Sequence, residues 1–346
     1  MVNALAEAGR EARRRREGRP RRVTVVMYHF VRDLQRSRYP AIKGLDARDF
    51  EGQLAYILRN YQVVRMEDVV AAARDPEVGL PERALLLTFD DGYADHYQTV
   101  FPLLDRHGLQ GSFFPPARAI LERRVLDVNK IHFLLASVDD PTRLVQAMEA
   151  RMLSSRQEHA LDPLEHYRRA YAHANRWDAA EVIYLKRLLQ KGLPEALRAA
   201  ITDDLFREFV TPDESAFAEE LYVTVEQLRC MLRHGMHIGS HGHDHLWLDS
   251  LGPADQEAQV RSSIDFLRHI GCDLDAWTMC YPYGGFDASL LGILDRLGCR
   301  LGLATEVAIA DLDRHAPLTL PRIDTNDLPT LPTAAPVRWT LDAAAE

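Results

Sequence analysis

A chain of 346 residues, 47% hydrophobic and 27% charged, is long enough for one large domain or two ordinary ones around a sizeable core. No run approaches the eighteen or so apolar residues that a membrane span needs, so disordered, collagen-like and transmembrane classes are excluded. The net charge is −9, unevenly spread: residues 1–22 hold eight Arg and three Glu, a charge of +5 that leaves −14 on the rest.

An acidic body argues against a nucleic-acid partner, because phosphate neutralisation needs clustered Lys and Arg. The basic segment 1–22 reads as a solvated arm. No apolar stretch with a small-residue cleavage site follows it, so a secretory signal is not expected and a cytoplasmic location is. Cys230, Cys272, Cys280 and Cys299 show no CxxC spacing and read as free thiols.

From Val23 onward, short β-rich apolar runs alternate with longer helical stretches, the pattern of a parallel sheet with crossover helices. Strands are predicted at residues 23–28, 62–65, 84–89 and 110–114, with helices at 47–60, 67–74 and 94–107. Residues 117–222 then change character. These 106 residues contain one glycine, Gly192, against eighteen in the other 240, and read as a helical insertion. Within it, Asp140-Pro141 predicts an N-cap and first helical residue, with Leu144, Val145, Met148 and Met152 on one apolar face. Thr211-Pro212-Asp213-Glu214 predicts a capping box. The α/β pattern resumes with a helix at 225–233, capped by Thr224 with Gln227 three residues on and stopped near Gly235. Strands at 237–239, 277–281 and 301–304 alternate with helices at 253–270 and 287–297. The Pro/Ala-rich end, residues 331–346, reads as a loosely structured tail.

Functional loops of parallel α/β folds lie at the carboxyl ends of the strands. Tyr28-His29, Asp90-Asp91, His241 and Tyr281-Pro282-Tyr283-Gly284 each follow a predicted strand, and all would open onto one mouth. Two adjacent carboxylates repel unless a cation or proton is shared, although Asp-Asp-Gly on its own is also a common turn. His241 and His245 are four apart, a spacing that serves two ligands of one ion; a polar His-rich loop is the other reading. Together with a carboxylate at another strand end they point to a site of two His and one Asp. Such a site keeps positions open for water, as catalytic metal centres do.

In this order, Thr88-Phe89-Asp90-Asp91-Gly92, His241-x-x-x-His245 and Tyr281-Pro282-Tyr283-Gly284 resemble the first three motifs of the polysaccharide deacetylase family, the carbohydrate esterase family 4 or NodB-homology group. Val26-Met27-Tyr28-His29 and Leu320-Pro321-Arg322-Ile323-Asp324 also resemble segments of its members. The resemblance spans about residues 23–116 and 223–327. It implies an α/β fold, a distorted (β/α)7-type barrel formed by residues 23–116 and 223–330, interrupted by the helical insertion. It also implies removal of an acetyl group from an N-acetylated sugar by a divalent metal, commonly Zn, with Ni, Co, Fe or Mn as alternatives. Asp91, His241 and His245 would bind the metal and Asp90 would be the general base. The backbone N–H of Tyr283 would stabilise the oxyanion, with Tyr281, Pro282 and Gly284 shaping the substrate loop. The chemistry agrees: a three-ligand metal acidifies water, and an unligated neighbouring carboxylate can take its proton.

The sequence departs from the family pattern twice. No Leu-x-His follows the third motif; in circularly permuted relatives a His after the first strand supplies the acid, and His29 fits, with His315 and His243 as alternatives. A His satisfied by core hydrogen bonds is the other reading of His29. Cys280 stands where an Arg usually pairs with the base aspartate. Arg322 is the candidate replacement, with Asp324 as orienter of His29, against an ordinary surface pair. The expected substrate is an N-acetylated sugar, nucleotide-sugar or lipid-linked glycan precursor, its choice shaped by the insertion at the barrel mouth. Another carbon–nitrogen hydrolase acting on a non-sugar amide or cyclic imide, and a non-catalytic carbohydrate-binding protein, are the alternatives. Oligomeric state stays open.

Overall fold

The computed structural model describes residues 21–175 and 178–343, which divide into two compact units. One comprises residues 21–32, 45–122 and 222–343; the other comprises 33–44 and 123–221, apart from the two residues not described.

Among the described residues, the first unit is built on seven parallel strands: β1 (Arg22–Tyr28), β2 (Ala84–Asp90), β3 (Ser112–Phe114), β4 (His237–Ile238), β5 (Met279–Cys280), β6 (Gly302–Leu303) and β7 (Ile323–Asp324). β1 pairs with β2 from Val23–Ala84 through Tyr28–Phe89, β2 with β3 through Thr88–Ser112, and β3 with β4 through Ser112–His237. The ring continues through a lone Ser240–Met279 pair, the β5–β6 ladder and a lone Leu303–Leu320 pair. It closes where Ile323 and Asp324 pair with Val26 and Met27 of β1. The distorted (β/α)7-type barrel is therefore the fold found, and the distortion lies in the two seams carried by single pairs. These seven staves all point the same way, so their carboxyl ends share one mouth.

The seventh stave is not the predicted strand at 62–65. Gln62–Val63 pairs with Ala84 and Leu85, on the same edge of β2 that β3 occupies further along at Thr88–Asp90. That edge is shared, so the early strand extends the sheet below β3 and the ring is closed by β7. β2 itself reads Ala-Leu-Leu-Leu-Thr-Phe-Asp with every residue buried, the continuous apolar run of a strand covered on both faces.

Helices Ala47–Asn60, Met66–Arg74, Val225–Arg233, Pro253–Ile270 and Ala288–Arg296 stand where the periodicity predicts them, within a residue at the ends. The Thr224 cap is complete: its hydroxyl accepts from Gln227 N at 3.2 Å, the Gln227 side chain accepts from Thr224 N at 2.8 Å, and Gly235 takes φ +80° just past the helix. The predicted helix at 94–107 is wound in two pieces. Its first turn, His96–Val100, is wide, with Phe101 N–H reaching back to His96 O, before the α-helical Phe101–Arg106. Pro102 supplies the reason: it has no N–H to bond Gln98 O, and its ring crowds that carbonyl, so the turn opens.

Two terminal expectations are corrected. Residues 1–20 lie outside the described residues, but Arg21 is buried, its guanidinium on Asp313 at 2.7 Å and on the carbonyls of Asp75 and Val78. Arg22 begins β1. The Pro/Ala-rich end is also docked as far as Ala343. Arg338–Asp342 is helical, and the buried Thr340 hydroxyl lies 2.7 Å from Tyr56 Oη and accepts from Tyr61 Oη at 2.9 Å. These hydroxyls have to satisfy one another once buried, which fixes the segment.

The second unit is helical. Leu144, Val145, Met148 and Met152 enter its core with Leu185, Leu188, Leu197 and Leu205. Its bounds differ from the predicted 117–222: helix Ala117–Glu122 and Tyr222 belong to the barrel, whereas residues 33–44 join the helical unit, with Lys43 pairing to Asp178 at 2.5 Å. The capping box at Thr211 is also corrected. Helix Glu214–Leu221 begins after Asp213, whose carboxylate accepts from Ala216 N at 3.0 Å. Glu214 is drawn instead to the buried Lys130 ammonium, 3.0 Å away. A buried cation demands a partner more strongly than a helix end demands a second cap. No helix of the described residues is long and apolar enough to cross a membrane.

Candidate metal centre and active site

Asp90, Asp91, His241, His245 and Tyr283 lie at or beyond the carboxyl ends of barrel strands. Asp90 is the last residue of β2, and Asp91 and Gly92 follow it with φ +72° and +67°. His245 and Tyr283 also adopt positive φ, +56° and +57°. Left-handed backbone at three non-glycine positions of one mouth is strain, and packing holds it where side chains must be aimed inward.

Asp91 Oδ1 lies 3.4 Å from His241 Nε2 and 3.2 Å from His245 Nε2, and all three residues are buried. That oxygen makes no hydrogen bond, although Asp91 Oδ2 accepts from Tyr93 Oη at 2.5 Å. The three donor atoms fall within 4.8 Å of one another. His241 Nδ1 lies 2.8 Å from the carbonyl of Cys280; a carbonyl only accepts, so Nδ1 carries the proton and Nε2 is left to face Asp91. Burial pushes the Asp91 carboxyl up, but the His241 and His245 imidazoles facing it outweigh that and hold the group well below the usual range. Burial also opposes charge on both imidazoles. For His245 it wins and lowers the pKa; for His241 the neighbouring Asp91 and Asp90 carboxylates overturn it and raise the pKa. One anionic oxygen between two imidazole nitrogens is a donor set suited to a divalent cation.

A second donor group overlaps it, formed by Asp90, His241 and Cys280. The chemistry there is poor. Both Asp90 oxygens are taken by the Arg322 fork, Oδ1 from Nη1 at 3.0 Å and Oδ2 from Nη2 at 2.9 Å, and the guanidinium would repel an added cation. Burial raises the Cys280 pKa, keeping it a thiol, and its Sγ donates to Asp90 Oδ2 at 3.3 Å. Burial would likewise raise Asp90, but Arg322, then His241 and His29, lower it to about 2.

Arg322 is therefore no surface pair. It is 1% exposed and anchored further by Ala304 O at 2.9 Å and Thr88 Oγ1 at 3.3 Å. It comes immediately before β7, so the strand that closes the barrel delivers the guanidinium to Asp90. His29 follows β1 and is half-buried. Asp324 is not its orienter: the carboxylate caps the next turn, accepting from Asn326 N at 2.9 Å. His315 sits at the far end of the barrel, because Ala310–Asp311 pairs with the start of β1 and His315 Nδ1 accepts from Asp311 N. His243 lies beside Asp244, with Nε2 and Oδ1 4.0 Å apart. In the last motif, Tyr281 is a wall residue rather than a substrate contact; it is fully buried, its hydroxyl on Leu318 O at 2.7 Å. Pro282 is buried too, while Tyr283 and Gly284 are half-buried. The Tyr283 ring meets His245 at 4.7 Å and stacks on half-buried Trp247 at 4.6 Å, 3° from parallel.

Sequence reasoning missed Tyr93, His96 and Trp247. His96 Nε2 lies 2.9 Å from the His29 carbonyl and therefore donates to it. Burial lowers its pKa to about 4, which keeps the ring neutral. The available signal was position: Tyr93 and His96 lie two and five residues beyond Asp91, and Trp247 lies two residues beyond His245.

Residues 77–152 and 209–302 match the family model described as polysaccharide deacetylase. Over those two segments the chain resembles the polysaccharide deacetylase family. The break in that match, between residues 152 and 209, falls inside the helical unit. A Bacillus subtilis relative, YxkH, named as a polysaccharide deacetylase, is 19% identical over 301 residues, covering 86% of this chain and 69% of its own length. Among solved structures, the Streptococcus pyogenes deacetylase PplD in complex with acetate shares 16% identity with a TM-score of 0.55, covering 94% of this chain and 100% of that one. IcaB from Ammonifex degensii shares 18% identity with a TM-score of 0.51, covering 94% and 99%. At these identities the structural likeness speaks for the fold.

Proposed function

We propose that this protein is a metal-dependent N-deacetylase that removes the acetyl group from an N-acetylated sugar, as a glycan, nucleotide-sugar or glycan precursor. The observation that carries the reading is the unbonded Asp91 Oδ1 between two imidazole nitrogens, beside an ionised carboxylate fixed by Arg322. Asp91, His241 and His245 would hold the ion, and zinc suits two nitrogens and one oxygen with a place left open. When bound, such an ion acidifies water and polarises an acyl oxygen.

Asp90 stays ionised at neutral pH and is oriented by Arg322, so it can accept the proton of an attacking water. The strained Tyr283 turn is the proposed source of a backbone N–H toward the oxygen on which negative charge develops. His29, at the end of β1, is the proposed donor to the leaving amine. The parallel Tyr283–Trp247 stack favours a sugar over a non-sugar imide, because the C–H face of a pyranose packs on an aromatic wall.

The test is acetate release from a panel of N-acetylhexosamine oligomers and nucleotide sugars. Activity that chelation abolishes and zinc restores is expected; absence of acetate from the whole panel with zinc-loaded protein would end the proposal. His29→Ala should lower kcat about 10²-fold or more across the pH range. Near-wild-type turnover at every pH would remove His29 from the mechanism.

A further inference from the structure

We propose that Tyr93 is a positioning residue for Asp91, holding one carboxylate oxygen so that the other alone is presented to a cation. The inference rests on the metal reading above and extends it to a side chain outside the donor set.

The two Asp91 oxygens have different surroundings. Oδ1 faces His241 Nε2 and His245 Nε2 and makes no hydrogen bond; Oδ2 is held by the Tyr93 hydroxyl at 2.5 Å. That contact spans only two residues, and the successive left-handed conformations of Asp91 and Gly92 reverse the chain to allow it. A side chain at Gly92 would in addition meet Pro115 Cβ at 2.7 Å. The backbone reversal is thus built into the strand end.

The phenol is placed by packing that does not involve Asp91. The Tyr93 ring is fully buried, stacked on Phe30 with centroids 3.8 Å apart and 19° between planes, and parallel to Tyr222 at 6.3 Å. Tyr93 also pairs with Tyr222 through the backbone, and Val223 N donates to Gly92 O at 2.9 Å. A ring gripped in this way holds its hydroxyl in place before any ion arrives. Pre-organised hydrogen bonds to a ligand's distal atom orient it and raise affinity. With Oδ2 committed, the carboxylate binds through a single oxygen and leaves more of the coordination sphere for water and substrate than a chelating carboxylate would.

Tyr93→Phe removes the hydroxyl and keeps the ring. Zinc affinity is read by competition with a chromophoric chelator, beside thermal melting of the zinc-free protein, for wild type, Tyr93→Phe and an Asp91→Ala control. Affinity in Tyr93→Phe is expected to fall about 10–100-fold while the zinc-free protein stays folded. Unchanged affinity in that variant, with wild type binding zinc and Asp91→Ala not, would overturn the role of Tyr93 alone. Wild type binding no more tightly than Asp91→Ala would overturn the metal reading itself. Should Tyr93→Phe fail to fold, 3-fluorotyrosine at position 93 keeps ring and hydroxyl while strengthening the donor. Because the stronger donor holds Oδ2 more firmly, zinc affinity is expected to rise, and an unshifted or lowered affinity would overturn the proposal.

Discussion

Arg322→Met is expected to destabilise the protein by about 3–5 kcal/mol, the range for removing one partner of a buried ion pair. The guanidinium is 1% exposed and its fork satisfies both Asp90 oxygens, at 3.0 and 2.9 Å. Methionine fills similar space but leaves Asp90 ionised, buried and short of its main counter-charge. The double variant Arg322→Met with Asp90→Asn removes that charge and should recover a large part of the loss, which a double-mutant cycle in urea would measure. A single variant within about 1 kcal/mol of wild type would show that the fork adds little net stability. The same pair sets an acid limit. Asp90 titrates near 2 when folded, below its ordinary 3.8, so its contribution is complete above the higher value and is lost as pH falls toward the lower one. Across that window about 2 kcal/mol of stability should disappear in wild type. Equal acid sensitivity in the double variant would assign the loss to other groups.

Asp90→Asn is expected to cut kcat about 10²–10⁴-fold, the usual contribution of a general base, while zinc stays bound. Asparagine keeps the shape of aspartate and can still accept from Arg322 through one oxygen, but it cannot take a proton from water. Zinc content measured alongside turnover decides between the two overlapping donor groups. An ion held by Asp91, His241 and His245 survives the change, whereas an ion on Asp90, His241 and Cys280 loses a ligand and leaves. Full zinc with lost turnover supports Asp90 as base. Loss of zinc would move Asp90 into the ligand set and remove it as the unligated acceptor.

His241 shows how much of such a site is readable in advance. Its place after a predicted strand, four residues before His245, already suggested an ion ligand. The Cys280 carbonyl that fixes its tautomer lies 39 residues away and carries no side-chain signature. Arg322 shows the opposite limit. It was a candidate among alternatives because its partner lies 232 residues earlier, and only the closure of the barrel by Ile323–Asp324 against β1 brings the two together.

The sequence alone determined the alternation of strands and helices, the strand ends that carry Asp90, Asp91, His241 and Tyr283, and the glycine-poor helical stretch. These follow from local physics: apolar periodicity, caps and turn residues act within a few positions of the chain. Tertiary structure decided which strand became the seventh stave, that Arg322 is buried on Asp90, that Tyr281 is a wall residue, that the Tyr93 hydroxyl reaches Asp91, and that the C-terminal segment docks on Tyr56 and Tyr61. Those outcomes depend on pairing across long separations, where burial obliges each polar group to find a partner and the fold limits which partners are within reach.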